Sequence, residues 1–391
     1  MIPKITFCIP SKDNLRYLKT CIPSIRKNAY RKDHDIIVFV DQDNDGTLKW
    51  LDEAKREYDL KFIINPNLNK ERFGIGKAYD RCIEEANTDI VMIFHADMML
   101  GKNADLEAFK HLDRKTAVSA TRVEPPLHPN GGEKILRDFG MWPEEFKEEA
   151  FDKFVDVEGK TDKVTNGIFA PWMVYKEDFL AIGGHDPRMH SCREDSDVFN
   201  RMMLDGWDFK QVWSSLVYHL TGRGAGSFSG DEQRHEEWKR EMNNSTLEFI
   251  RKWGSNVEHT PLMQPIVTPV YRKILHLEDA TEQTLEALEP WFTEVAINTS
   301  NFNINEWVAN KNKNSYIDIS ERVYEFKNDR GAFDGVHVTL NASKMTQQDF
   351  NNVMLLNKIF ADSGKPGSFN LGNLIIKIDQ LKDISKELIK V

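Results

Sequence analysis

Three polar clusters combine residue types able to hold a cation or move a proton. His95-Ala96-Asp97 follows the apolar run 90–94. An imidazole and a carboxylate projecting from a strand end into a cleft can hold a divalent cation, which would neutralise a diphosphate leaving group. An Asp after a strand also serves as a plain turn cap. Arg193-Glu194-Asp195-Ser196-Asp197 opens a pattern of helical spacing through Val198, Phe199 and Met202. Its carboxylates suit the positive end of a helix dipole. Adjacent Glu194 and Asp195 also face different ways, so one can take a proton from an acceptor while the other holds a substrate hydroxyl. His219 ends the strand-like run 213–218 and leads into Thr221-Gly222-Arg223-Gly224-Ala225-Gly226-Ser227. It is either a hydrogen-bonded structural residue or a metal ligand alongside Asp97. A glycine-rich segment carrying Arg223 can close over phosphates. Gly74-Ile75-Gly76 is a fragment of a glycine-rich loop, without dinucleotide or Walker spacing. Beside it, Arg72 and Lys77 either meet phosphates or are solvated charges.

These clusters need a scaffold, and the hydrophobic pattern supplies one. Strand-like runs at 5–9, 36–40, 61–64 and 90–94 alternate with helical spacing over 15–27, 48–58 and 76–86. Pro23 lies inside or near the start of the first of those helices. This order predicts a parallel sheet with helices on both faces, where ligands gather at the carboxyl ends of the strands. Polar groups stand at those ends: Ser11 to Asn14, the acidic turn containing Asp41 and Asp43, and His95 to Asp97. Residues 122–163 read as loop-rich and acidic. The segment 255–269 carries prolines and reads as a linker, separating a domain over 1–254 from a smaller α/β or α+β domain over 270–391.

Composition narrows the classes. The formal net charge is −10 with no dense Lys/Arg run, which disfavours nucleic acid as the main partner. No apolar run approaches a bilayer span, and the N-terminus enters a strand pattern without a signal core. Four cysteines without paired spacing fit reduced thiols and a cytoplasmic location.

In order and spacing, these blocks over residues 4–228 resemble the GT-A fold glycosyltransferases of family two. The resemblance implies a Rossmann-like nucleotide-diphospho-sugar transferase domain. Pro10 and Ser11 match the turn that contacts the base, and Asp41 the acidic residue that reads it. Gly74, with the helix through Lys77, matches the glycine-led segment before the metal strand. His95-Ala96-Asp97 stands at the DXD motif, with Asp97 as the direct ligand. Gly183-Gly184-His185-Asp186 resembles a Gly-Gly-Phe-Asp turn, Glu194-Asp195 the Glu-Asp motif with Asp195 as the implied base, and His219 the late histidine that completes the metal site. His95 departs from the motif, and its neutral ring favours manganese or another transition ion over magnesium. The mechanism that the resemblance implies is an inverting displacement from a nucleotide-sugar, a UDP-sugar, onto an acceptor hydroxyl or amine.

Two other readings stay open. A sugar nucleotidyltransferase would carry glycines where Ser11-Lys12-Asp13-Asn14 stands. A catalytically degenerate nucleotide-sugar or glycan binder would tolerate His95. The C-terminal domain carries no chemical motif and is left with acceptor binding, oligomerisation or structural support. Trp291, Phe292 and Trp307 are expected in its core rather than on a sugar platform. Phe139, Trp142, Glu144 and Glu145 are placed on the acceptor side.

Overall fold

The computed structural model describes residues 2–221, 232–326 and 334–391. It divides into two compact units, one of Met1–Glu241 with His259–Ile266 and Val391, the other of Met242–Glu258 with Val267–Lys390.

The first unit runs β1 (Thr6–Lys12), α1 (Leu15–Asn28), β2 (Asp35–Gln42), α2 (Thr47–Ala54), β3 (Lys61–Ile64), α3 (Ile75–Glu85), β4 (Ile90–Ile93), β5 (Met98–Leu100), α4 (Ala104–Phe109), β6 (Thr116–Glu124), β7 (Lys134–Leu136), α5 (Glu148–Glu158), β8 (Val164–Thr165), β9 (Trp172–Tyr175), α6 (Lys176–Ala181), α7 (Glu194–Leu204), β10 (Asp208–His219) and α8 (Glu232–Trp253). The division between the units falls inside α8. The sheet order is β3-β2-β1-β4-β9-β6-β10-β5, with β7 beside β6 and β8 beside β10.

The parallel expectation holds for β1 to β4. The whole sheet is mixed, because β9 is inserted antiparallel between β4 and β6. Two reversals cancel, so β6 and its parallel neighbour β10 point the same way as β1 and β4. The carboxyl ends of β1, β2, β4, β6 and β10 therefore share one edge. Register fixes which residues meet there. Cys8 pairs with Ile93, so Pro10 and His95 leave the sheet at the same level. Tyr218 pairs with Val123, which sets His219 beside Glu124.

Helix α1 runs through Pro23 and buries Leu18, Cys21, Ile22 and Ile25 on one face. The span read as loop-rich is more ordered than expected. It holds the end of β6, β7 and α5, whose buried side chains, Phe151 and Val155, are only two among many charges. One turn of apolar spacing is too little signal to declare a helix.

The second unit contains β11 (Lys273–Glu278), α9 (Glu282–Leu288), β12 (Glu294–Asn298), α10 (Ile304–Asn312), β13 (Val323–Glu325), β14 (Val336–Asn341), α11 (Gln347–Ser363), β15 (Gly367–Leu371) and β16 (Leu374–Ile378). Its sheet order is β13-β12-β11-β14-β16-β15. Alternate residues such as Leu275, Leu277, Val336 and Val338 form a core with helix residues Leu285, Val353 and Phe360. Trp291, Phe292 and Trp307 are buried in that core, as their apolar area requires. Among the described residues, no helix is long and apolar enough to cross a membrane.

One buried ion pair locks α7 in the first unit. Arg201, wholly buried, donates from Nε to Asp197 Oδ2 at 2.8 Å and from Nη1 to the Ile182 carbonyl at 2.9 Å, and also reaches the Gly184 carbonyl. Arg201→Ala removes the buried ion-pair partner of Asp197, so a loss of about 3–5 kcal/mol is expected in denaturant unfolding. A change under about 1 kcal/mol would show that the pair does not hold the helix.

Candidate active site

The shared strand edge opens into a cavity of about 390 Å³ in the first unit. Pro10, Ser11, Asp41, His95, Ala96, Asp97 and His219 all line it. Residues scattered over more than two hundred positions are thus brought together by strand order alone.

At one end stands Asp41, buried at the end of β2. Its Oδ1 accepts from the Phe73 amide at 2.7 Å and from Asn65 Nδ2 at 2.9 Å, and its Oδ2 accepts from Arg72 Nε at 2.7 Å. Arg72 also meets Glu241 at 3.1 Å. Burial disfavours the charge on Arg72, but Glu241 and Asp41 outweigh it and raise the pKa. Trp238 and Lys12 line the same end.

At the centre, ligand atoms of His95, Asp97 and His219 lie within 4.8 Å of one another, a set able to hold a metal ion. Burial lowers the His95 pKa to about 4, so its ring is neutral at neutral pH. His219 Nδ1 lies 2.9 Å from Glu124 Oε1, and its Nε2 lies 3.5 Å from Asp97 Oδ1. Burial favours a neutral His219 ring, yet Asp97 and Glu124 push its pKa up to about 9. Glu124 is itself buried, and against that burial His219, Arg122 and Lys134 hold its carboxyl well below the usual range. Arg122 lies over the Phe169 ring, 3.9 Å from the centroid.

Other expected residues lie outside the cavity lining. Lys77 is exposed, its ammonium 6.0 Å from the Phe73 ring centroid. Asp43 is half-buried, its backbone N–H donating to Asn69 Oδ1 at 2.8 Å. Gly74, at φ +94°, starts α3, and a Cβ there would come within 2.9 Å of the His190 ring. Glu194 and Asp195 head α7. Burial and the neighbouring Asp195 push the Glu194 carboxyl up, while Asp195 Oδ1 accepts from the Ser196 amide at 2.6 Å. Arg223 lies outside the described residues. Phe139 is buried among Phe151 and Tyr218, and Glu144 pairs with Arg16, whose guanidinium covers Trp142.

Sequence reasoning missed Arg122, Glu124 and Lys134. Their signal was a pair of charges, Arg122 and Glu124, at the end of the uncharged run 116–121 and just before Pro125-Pro126. Glu124→Gln should lower the His219 pKa from about 9, because one of the two carboxylates that raise it is removed. The raised pKa means that charged His219 stabilises the metal-free fold below about pH 6.5, a contribution lost as pH rises through about 9. NMR titration of the imidazole in both proteins checks this. An unchanged value in the variant would exclude Glu124 as a cause.

Residues 6–178 match the model of glycosyl transferase family 2. No curated protein matches the chain. Among solved structures, GalNAc-T7 crystallised with UDP, GalNAc and Mn2+ is 15% identical at a TM-score of 0.44, over 64% of this chain and 50% of that one. S. aureus TarS 1–349 in complex with UDP is 13% identical at a TM-score of 0.39, over 63% of this chain and 66% of that one. The chain thus spans about half the length of the first. The matched segment runs from the start of β1 into α6 and carries the strand ends bearing Pro10, Asp41, Asp97 and Glu124. The match to glycosyl transferase family 2 thus covers residues 6–178, somewhat less than half of the chain.

Proposed function

We propose that this enzyme moves the sugar of a nucleoside-diphosphate donor, a UDP-sugar, onto an acceptor hydroxyl or amine, in one inverting displacement assisted by a divalent cation. The observation that carries the reading is the His95, Asp97 and His219 donor set, gathered on the wall that also holds Pro10, Ser11 and Asp41. We assign these steps to the domain 1–254. The four cysteines are free, in keeping with the reducing cytoplasm we propose for it.

The donor set suits a cation. With Nδ1 of His219 engaged by Glu124, Nε2 faces Asp97, the arrangement in which a carboxylate orients a metal-binding imidazole. Neutral His95 adds a nitrogen donor and leaves Asp97 as the one carboxylate, which favours manganese over magnesium. A cation held by Asp97 and His219 would neutralise the charge on the departing nucleoside diphosphate.

The chain's own residues divide the remaining work. Asp41 has three of roughly four carboxylate lone-pair positions filled by Phe73, Asn65 and Arg72. The remaining one accepts a base N–H, as uracil offers. Pro10 and Ser11 form the floor of that end. The upward push on Glu194 keeps its carboxyl protonated, which suits it to hold a hydroxyl and leaves the base role to Asp195.

Asp97→Ala should abolish the cation-dependent thermal stabilisation of the protein by UDP. Asp195→Asn should bind donor within about twofold of wild type and lose at least ~100-fold in turnover. Near-normal turnover would remove Asp195 as the base. No stabilisation of wild type by any nucleoside diphosphate would sink the donor reading itself. Metal binding also displaces the His219 proton, so apparent affinity for manganese should climb towards about pH 9, by up to ~10-fold per pH unit. Calorimetric titration at several pH values reads this directly, and a flat profile would take His219 out of the ligand set.

A further inference from the structure

Helix α3 presents Ile75, Ala78 and Tyr79 to the cavity, positions three and four apart on one helix face. Tyr79 is 2% exposed, yet its hydroxyl has no hydrogen-bond partner among the described residues. A buried hydroxyl costs free energy unless something satisfies it. Glu194 Oε2, at the head of α7, is a second buried oxygen without a partner.

The ring is held as a fixed platform. It stacks on His185 at 5.7 Å between centroids and 27° between planes. His185 is anchored to Asp80 on the same helix, through its amide at 2.9 Å and its Nδ1 at 2.7 Å. Two glycines permit the approach. A Cβ at Gly184 would come within 2.8 Å of the Asp80 carboxylate, and one at Gly76 within 2.8 Å of the His185 Cβ. Each part of this support fixes where the phenol oxygen points.

We propose that Tyr79 recognises a hydroxyl of the transferred sugar and so helps to set which sugar the enzyme accepts. The inference rests on the donor reading above and adds a residue to it. The charge around the phenol selects the class of partner. Burial, then Glu194 and Asp97, push its pKa well above the ordinary value, so the group stays a neutral donor. A neutral phenol beside the protonated Glu194 carboxyl makes an uncharged hydrogen bond, the kind that a neutral sugar hydroxyl accepts.

Tyr79→Phe removes one oxygen and keeps the stacked ring. The full chain and the variant are compared with manganese and a panel of UDP-glucose, UDP-galactose, UDP-GlcNAc and UDP-GalNAc. With the best donor, kcat/KM should fall about 10-fold, and the preference over its epimer should shrink. Affinity for UDP should move less than about twofold. Melting temperature should hold or rise, because the lost hydroxyl has no partner among the described residues. Unchanged kcat/KM and donor ranking would overturn the proposal. So would a loss of UDP affinity equal to the loss in kcat/KM, since the contact would then be to the nucleotide. If wild type neither binds UDP nor turns over any of these donors, the donor site itself fails and takes this inference with it.

Discussion

The Glu124 carboxylate is the interaction on which the rest of the site depends. It is 1% exposed, and a lone buried charge would cost several kcal/mol. Three groups meet it: His219 at 2.9 Å, Arg122 at 2.8 Å and Lys134 at 3.1 Å. These come from β10, β6 itself and β7, so neutralising one carboxylate draws three strands into one electrostatic unit. The same contact fixes the His219 ring and turns Nε2 towards Asp97. The geometry of the candidate donor set is a consequence of solving a burial problem.

At the other end of the cavity a second network uses the same logic with opposite sign at its centre. Arg72 is half-buried between Asp41 and Glu241, and each carboxylate holds it charged. Its effect is to pin Asp41, whose oxygens also accept from Phe73 and Asn65. A carboxylate immobilised by several donors presents its remaining lone pair in one direction. Specificity for a planar base needs that directionality more than it needs charge.

Much of this was legible in the sequence, for a physical reason. Strands β1, β2 and β4 are buried on both faces, so they appear as continuous apolar runs, and polar residues can enter only where the runs stop. Pro10, Asp41 and Asp97 are visible as interruptions of that kind. Glu124 was hidden because the uncharged run 116–121 already gives way at Arg122, so the charges looked like the start of a loop. The antiparallel insertion of β9 was hidden too, since Trp172–Tyr175 is only four residues long and its neighbours are remote in sequence. Lys77 shows the converse. A cation beside a glycine pair is a fair phosphate candidate from spacing alone, but α3 turns that position to solvent and sends Ala78 and Tyr79 inward.

Tyr79 was invisible for a deeper reason. Within a helix pattern, a tyrosine at an apolar position counts as core, and nothing in spacing separates a satisfied hydroxyl from an orphaned one. The distinction needs His185 and Asp80, more than a hundred residues apart, to show that the ring is anchored while its oxygen is not. His185 stands where the Gly-Gly-Phe-Asp turn that the sequence resembles has phenylalanine. That exchange keeps the aromatic stack and adds a nitrogen that binds Asp80, so the turn now clamps α3 in rotation as well as in distance. A clamp of that kind is of little use to a core tyrosine, which packing alone would hold. It is of use to one whose oxygen must meet a ligand at a fixed place, where a small misplacement of a contact costs a large factor in rate.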